Sequence, residues 1–80
     1  MSSKSVTLIG KPGCHLCDQA REVIERVCNE LNSSWNELSI LEDENLARQY
    51  AEFIPVVLLN GKPFDQFGVS EQRLRTALQQ

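Results

Sequence analysis

The sequence predicts an α/β domain with the element order β-α-β-α-β-β-α, a four-stranded mixed sheet and helices on both faces. Three observations predict it: an apolar run that leads into a long helical pattern, a second apolar run at Val56–Leu59, and the hairpin signal Asn60-Gly61. Strands joined through a helix run parallel by a right-handed crossover, whereas a two-residue turn makes its strands antiparallel. Both pairings therefore belong to one mixed sheet.

The first strand and the first helix have the clearest patterns. Val6–Ile9 is almost wholly apolar, which is typical of a strand covered on both faces, and Gly10 and Pro12-Gly13 end it. A helix is predicted from Cys14 to about Leu31, since apolar residues recur there in steps of three and four. Its apolar face consists of Cys17, Ala20, Ile24, Val27, Cys28 and Leu31.

A second strand is predicted at Trp35–Leu41, with Leu38 and Ile40 as its buried residues. An acidic loop follows and leads into a short helix, about Asn45–Ala51, because acidic residues stabilise the first turn of a helix. The buried side of this helix is expected to hold Leu46, Ala47 and Tyr50.

The last three elements follow the second apolar run. Val56–Leu59 is predicted as a central strand and Lys62–Gln66 as the returning edge strand, where a proline is tolerated. Gly68 breaks the pattern, and Ser70 is a suitable N-cap for a final helix. That helix is expected from Glu71 to about Leu78, buried through Leu74 and Leu78.

Length and charge restrict the functional classes. The 80 residues are expected to form a single domain, 1–80, and a net charge of −3 gives no electrostatic signal for nucleic acid. No apolar run approaches the roughly 20 residues of a membrane span, and the amino-terminal run is too short for a secretory signal. An odd number of cysteines argues against a secreted disulfide framework. We therefore expect a cytoplasmic monomer that binds neither membrane nor nucleic acid.

The segment Cys14-His15-Leu16-Cys17 carries the strongest chemical signal. It places two thiols three residues apart at the start of the predicted helix. A helix N-terminus favours an anion, so the pKa of the Cys14 thiol is expected to be lowered. With Cys17 one turn away, the pair can cycle between dithiol and disulfide. A closely spaced cysteine pair in a reducing compartment is catalytic or metal-binding more often than structural.

Several features of the chain resemble those of a known family. They extend essentially from one end of the chain to the other. They are the first strand, Lys11 three residues before Cys14, the C-H-L-C motif opening a helix, Ile54-Pro55 before an apolar strand, and the Asn60-Gly61-Lys62 hairpin. In these the chain resembles the glutaredoxin-like proteins of the thioredoxin fold, specifically the small group whose motif is C-H-L-C.

The resemblance implies a role for each residue of the motif and its surroundings. Cys14 would be the nucleophile and Cys17 the resolving thiol. The Ile54–Pro55 bond would be cis, with Pro55 beside the redox pair and the backbone of Ile54 pairing with a bound peptide or glutathione. Lys11 is similar to the lysine that assists thiolate formation and contacts a substrate carboxylate.

Two positions depart from the glutathione-binding glutaredoxins. Those proteins carry a Gly-Gly turn followed by acidic residues after the hairpin, where this chain has one glycine and the bulky Phe67. They usually have proline at the position of His15. We expect His15 either to tune the redox potential or to be a solvated loop residue. Phe64 and Phe67 are expected either to line the substrate groove or to pack in the core.

The sequence thus predicts a thiol–disulfide oxidoreductase that reduces protein or glutathione mixed disulfides. A reductase or a low-molecular-weight thiol would supply electrons; glutathione would be a co-substrate, and no cofactor would be tightly bound. The alternatives are a binding module without turnover and an iron–sulfur cluster shared by two subunits through Cys14. A zinc site needs four ligands, which this chain cannot easily provide, because Cys28 is expected to pack in the core. Trp35 and Phe53 are also expected to be core residues.

Overall fold

The computed structural model describes residues 4–80, so the first three residues of the predicted domain lie outside the described part. The elements are β1 Ser5–Gly10, α1 His15–Leu31, β2 Ser34–Ser39, α2 Glu44–Tyr50, β3 Val56–Leu59, β4 Lys62–Gln66 and α3 Glu71–Gln79. This is the predicted order β-α-β-α-β-β-α, and the predicted fold class is confirmed.

The four strands form one mixed sheet with the order β2-β1-β3-β4. β1 runs parallel to β2 and antiparallel to β3, and β3 runs antiparallel to β4. The register pairs Gly10 with Ser39, Ile9 with Val56, and Val56 with Gln66. These residues define one end of the sheet, which we call the upper edge. The loops after β1 and β4 and the loop before β3 therefore meet there.

The main core lies between the sheet and the helices α1 and α3. Its fully or almost fully buried residues are Val6, Leu8, Ala20, Ile24, Val27, Cys28, Val57 and Leu74. The apolar face predicted for α1 is thereby confirmed. On the opposite face of the sheet, Ile9 and Val56 are also buried. The third helix, α2, is half-buried along the side formed by Leu46, Ala47 and Tyr50.

The prediction for the buried side of β2 was wrong. β2 ends at Ser39, Leu38 is 37% exposed, and Ile40 follows the strand as a half-buried residue. The register pairs Trp35 with Val6, so Trp35 lies on the face that packs against the core. Because side chains alternate along a strand, Leu38 falls on the other face. The strand is at the edge of the sheet, where that face is incompletely covered.

The turns and caps follow local chemistry. Asn60 and Gly61 both have positive φ, 53° and 82°, as a two-residue hairpin requires, so the predicted hairpin is confirmed. The hydroxyl of Ser70 accepts a hydrogen bond from the backbone N–H of Arg73 at 3.3 Å, which makes it the predicted N-cap of α3. Asp43 caps α2 in the same way through the N–H of Asn45.

Ion pairs join α1 to α3 on the surface. Arg75 donates to Glu30 at 2.7 Å and to Glu71 at 2.9 Å, and Glu71 also accepts from Arg26 at 2.7 Å. The hydrogen bonds from Arg26 and Arg75 lower the pKa of Glu71 below its ordinary value of 4.5. The bond from Arg75 likewise lowers the pKa of Glu30.

This cluster predicts a pH dependence of stability. A carboxyl group whose pKa is lower in the folded state stabilises the fold above its unfolded pKa, and this contribution is lost as the pH falls through the folded pKa. We therefore expect the stability lost in Glu71→Gln to be greatest near neutral pH. The difference from the wild type should shrink between about pH 5 and about pH 3.

Urea unfolding of both proteins across this range measures the effect. Glu52→Gln is the matched control, because Glu52 is exposed and forms no ion pair within residues 4–80. A constant difference between Glu71→Gln and the wild type at all pH values would contradict the prediction.

Candidate active site

The first turn of α1 holds the cysteine pair at the upper edge of the sheet. Cys14 is the N-cap of the helix, and its sulfur accepts a hydrogen bond from the backbone N–H of Cys17 at 3.2 Å. Gly13, with φ of 75°, provides the left-handed residue that the turn before the helix requires. The N–H of Cys17 and the positive end of the helix dipole thus lie at the Cys14 sulfur, which is an environment that favours an anion.

Cys14 and Cys17 form a disulfide, with their Cα atoms 5.2 Å apart. The two cysteines differ in access to solvent: Cys14 is half-buried, whereas Cys17 is completely buried. An incoming disulfide can therefore reach Cys14 but not Cys17. This asymmetry fits the predicted order of attack, with Cys14 first and Cys17 second.

Gly10 makes room for the buried sulfur. A Cβ atom added to Gly10 would lie 2.8 Å from the Sγ of Cys17, which is closer than real contacts allow, and 3.1 Å from its Cβ, which is also tight. The last residue of β1 must therefore lack a side chain if Cys17 is to pack against the strand. The sequence pattern showed Gly10 only as a strand breaker. The sequence signal that could have identified Gly10 as part of the cysteine site was its position four residues before Cys14, at the end of a buried strand.

Gly10→Ala is expected to displace the Cys17 sulfur. We expect a loss of about 1–3 kcal/mol in stability from overpacking. A free thiol can rotate away from the new methyl group, whereas a disulfide-bonded sulfur cannot, so the oxidised form should lose more. The reduction potential should therefore rise by about 30 mV or more. Equilibration in glutathione redox buffers measures it.

Gly61→Ala is the matched control for this substitution. Gly61 has a positive φ and open space around it, so alanine there strains only a hairpin remote from the cysteines. It should lower stability and leave the potential unchanged. An unchanged potential in Gly10→Ala as well would remove Gly10 from the redox site.

Ile54 and Pro55 lie beside the upper edge, immediately before β3. The Ile54–Pro55 peptide bond is cis, and Pro55 is buried. The chain after β4 is bonded to this segment: the N–H of Phe67 donates to the carbonyl of Phe53 at 3.1 Å, and that of Gly68 donates to Pro55 at 3.3 Å. The backbone N–H and C=O of Ile54 have no hydrogen-bond partner within residues 4–80. They remain available to an extended ligand.

Three large apolar side chains are exposed in this part of the molecule. Leu16, between the two cysteines, is 51% exposed, Phe53 is 39% exposed and Phe67 is 55% exposed. The rings of Phe53 and Phe67 contact each other, with centroids 6.1 Å apart. The prediction that Phe53 packs in the core was wrong, because it follows α2 in the loop that leads to Pro55. We call these three residues the apolar rim.

The two phenylalanines that follow the hairpin separate in the structure. Phe64 is half-buried against the core, with the Arg73 guanidinium 4.7 Å from its ring centroid. Phe67 instead belongs to the apolar rim. A groove runs from Phe67 to α1, and its lining residues are Leu16, Gln19, Ala20, Val23, Phe67, Gly68 and Val69. Phe67 therefore lines this groove, whereas Phe64 packs against the core beside Arg73.

Lys11 and His15 are exposed, and neither forms a hydrogen bond with a cysteine sulfur within the described chain. Lys11 lines a separate cleft that also contains Glu37 and Glu42. In that cleft Arg21 is already paired with Glu37 at 2.6 Å and with Asp18 on α1. The roles predicted for Lys11 and His15 remain predictions.

The Nε2 of His15 lies 3.2 Å from the side-chain amide nitrogen of Gln19, one turn further along α1. The third cysteine, Cys28, is a buried free thiol in the core, as predicted, and burial raises its pKa.

Among residues 4–80, no three His, Cys, Asp or Glu side chains come together as a metal site. No helix in the same range is long and apolar enough to cross a membrane.

The sequence comparisons point to one family. The family model described as "Glutaredoxin-like domain (DUF836)" matches residues 5–79. An uncharacterised protein of Mycobacterium tuberculosis is 28% identical over 80 residues, which cover 94% of this chain and 82% of that protein. A protein of Mycobacterium bovis, also uncharacterised, matches with the same identity and coverage.

Solved structures resemble the chain throughout its length. A structural-genomics protein from X. campestris is 28% identical with a TM-score of 0.74, covering 92% of this chain and 95% of its own. A protein from Nitrosomonas europaea has a TM-score of 0.82 at 19% identity, with 98% and 94% coverage. A mutant thioredoxin from Halobacterium salinarum has a TM-score of 0.69 at 16% identity, covering 98% of this chain and 74% of its own. The last two likenesses concern the fold alone.

Proposed function

Because the chain belongs to the family of glutaredoxin-like domains, we propose that it is a thiol–disulfide oxidoreductase acting through Cys14 and Cys17. One observation carries this proposal: the half-buried Cys14 caps α1 within disulfide distance of a completely buried Cys17. A helix N-terminus favours the thiolate, which is the attacking form of cysteine. The pair thus combines an accessible nucleophile with a protected second thiol.

The reaction proceeds by two exchanges. The Cys14 thiolate attacks one sulfur of the substrate disulfide, the substrate S–S bond breaks, and its other sulfur leaves as a thiolate that takes up a proton. Deprotonated Cys17 then attacks the Cys14 sulfur and releases the second substrate thiol. The substrate gains two electrons from the protein, which forms the Cys14–Cys17 disulfide; of the two protons that the substrate gains, one comes from Cys17 and the other from solvent. A low-molecular-weight thiol or a reductase restores the dithiol.

Groups around the pair support substrate binding. The unpaired backbone of Ile54 can form main-chain hydrogen bonds with an extended peptide or with glutathione. Lys11 can contact a substrate carboxylate, and His15 can tune the potential from its position between the two cysteines in the chain. We further propose that the protein is a cytoplasmic monomer, since a reducing thiol pool keeps such a pair ready to attack.

Two reductase assays test the proposal on the wild-type protein. One follows insulin reduction with dithiothreitol as electron donor, and the other follows reduction of a glutathione mixed disulfide with glutathione as donor. Turnover above the uncatalysed rate in either assay is the expected result. Absence of turnover in both would favour a binding module, and visible absorbance in freshly purified protein would favour an iron–sulfur cluster.

A further inference from the structure

The groove between Leu16 and Phe67 carries no charge and lies beside the first turn of α1, the turn that holds the cysteine pair. Leu16 lies between Cys14 and Cys17 in the chain and lines the groove together with Phe67 on its other side. None of the lining residues carries a charge. Beside the turn that holds Cys14, the groove therefore presents two exposed apolar side chains, Leu16 and Phe67.

The backbone of Phe67 adds a second, independent observation. Its φ of 63° lies in the left-handed region, which is unfavourable for a bulky side chain and would suit glycine. The hydrogen bond from Phe67 N–H to Phe53 holds this conformation. Burial of the ring does not offset this unfavourable backbone conformation, since Phe67 is 55% exposed. A strained backbone that presents an aromatic ring to solvent indicates a binding role, because the core gains little from it.

The groove itself is poorly suited to glutathione, which carries two carboxylates. The groove offers no cation to pair with them. Lys11 lies in the other cleft beside Glu37 and Glu42, and Arg21 is already bound by acidic partners. On the far side, Arg73 is paired with Asp65 at 3.3 Å. A glutathione carboxylate placed in the groove would lose water without gaining an ion pair.

We propose that the site selects disulfides of protein segments in which an aliphatic or aromatic side chain adjoins the cysteine. The substrate side chain packs in the groove between Leu16 and Phe67 while the substrate cysteine faces Cys14. Burial of apolar surface favours this arrangement, and the unpaired Ile54 backbone accommodates the extended segment. This inference rests on the proposed oxidoreductase function.

Two peptides that differ at one residue test the selection. Each is a short peptide joined through its cysteine to the same chromogenic aryl thiol. One carries leucine beside the cysteine and the other carries serine. Stopped-flow mixing with the reduced protein gives the second-order rate constant for each. We expect wild-type protein to react about tenfold faster with the leucine peptide. Phe67→Ser should reduce this preference to about twofold or less, chiefly by slowing the leucine peptide.

Further variants and a small aryl disulfide separate failure of the peptide selection from failure of the oxidoreductase function. Phe67→Leu keeps an apolar side chain and should retain most of the preference, and Gln72→Ser, an exposed change on α3, should retain all of it. Equal wild-type rates on the two peptides, or a preference that survives in the double variant Leu16→Ser/Phe67→Ser, would overturn the selection alone. No reaction with either peptide or with a small aryl disulfide would overturn the oxidoreductase function and the selection together.

Discussion

Cys14→Ser is expected to abolish disulfide reductase turnover, lowering the rate to the uncatalysed background. Serine has nearly the same size, so the fold should be kept, but a hydroxyl at the helix N-terminus does not ionise near neutral pH and cannot form the mixed disulfide. The buried Cys17 cannot substitute for it, because no part of its side chain is exposed to an incoming disulfide. Insulin reduction measured at equal concentrations of folded protein gives the comparison.

The third cysteine provides the matched control for that substitution. Cys28→Ala removes a thiol of the same chain that is buried in the core and whose pKa is raised by burial. It should cost some stability by leaving a small cavity and leave turnover within about twofold of wild type. Turnover that survives in Cys14→Ser, or that disappears in Cys28→Ala, would assign the activity to a different thiol.

Ile24→Ala is expected to produce the largest loss of stability. Ile24 is completely buried where α1 packs on the sheet, and truncation there removes apolar contacts and leaves a cavity. Such changes cost about 2–5 kcal/mol. At roughly 0.05–0.15 kcal/mol per residue, the whole chain has about 4–12 kcal/mol of stability. A large part of the free energy of unfolding should therefore be lost, which urea denaturation measures.

Two neighbouring substitutions keep this prediction measurable. Ile24→Val removes one methyl group and should cost about 0.5–1.5 kcal/mol, which leaves a folded protein even if alanine does not. Glu25→Ala lies next to it on the exposed side of α1 and should change stability by less than about 0.5 kcal/mol. Equal losses at positions 24 and 25 would contradict the core assigned to α1.

The elements that could be predicted from the sequence are those with a strong local signal. The spacing from Cys17 to Leu31 predicted α1 and its buried face, and Asn60-Gly61 predicted the hairpin, because both signals depend on residues close together in the chain. The N-cap role of Ser70 was predictable for the same reason. The motif also located the cysteine pair at the start of α1, since cap chemistry is local.

The errors arose where burial depends on distant parts of the chain. Leu38 looks like a buried strand residue, but the register with β1 places Trp35 on the core face instead. Phe53 has the composition of a core residue, yet the loop before Pro55 leaves it on the apolar rim. The need for glycine at position 10 follows from a close approach to Cys17, which only the packing of α1 on β1 reveals.

Trapping of the mixed disulfide tests the proposed chemistry most directly. Cys17→Ser retains the nucleophile but cannot resolve the intermediate, so the reduced variant mixed with the leucine peptide disulfide should accumulate a covalent adduct. Intact-mass spectrometry should show one peptide per chain, peptide mapping should place it on Cys14, and dithiothreitol should release it. Cys14→Ser treated in the same way should remain unmodified. An adduct on Cys17 in that variant, or no adduct on Cys14 in Cys17→Ser, would contradict Cys14 as the attacking thiol.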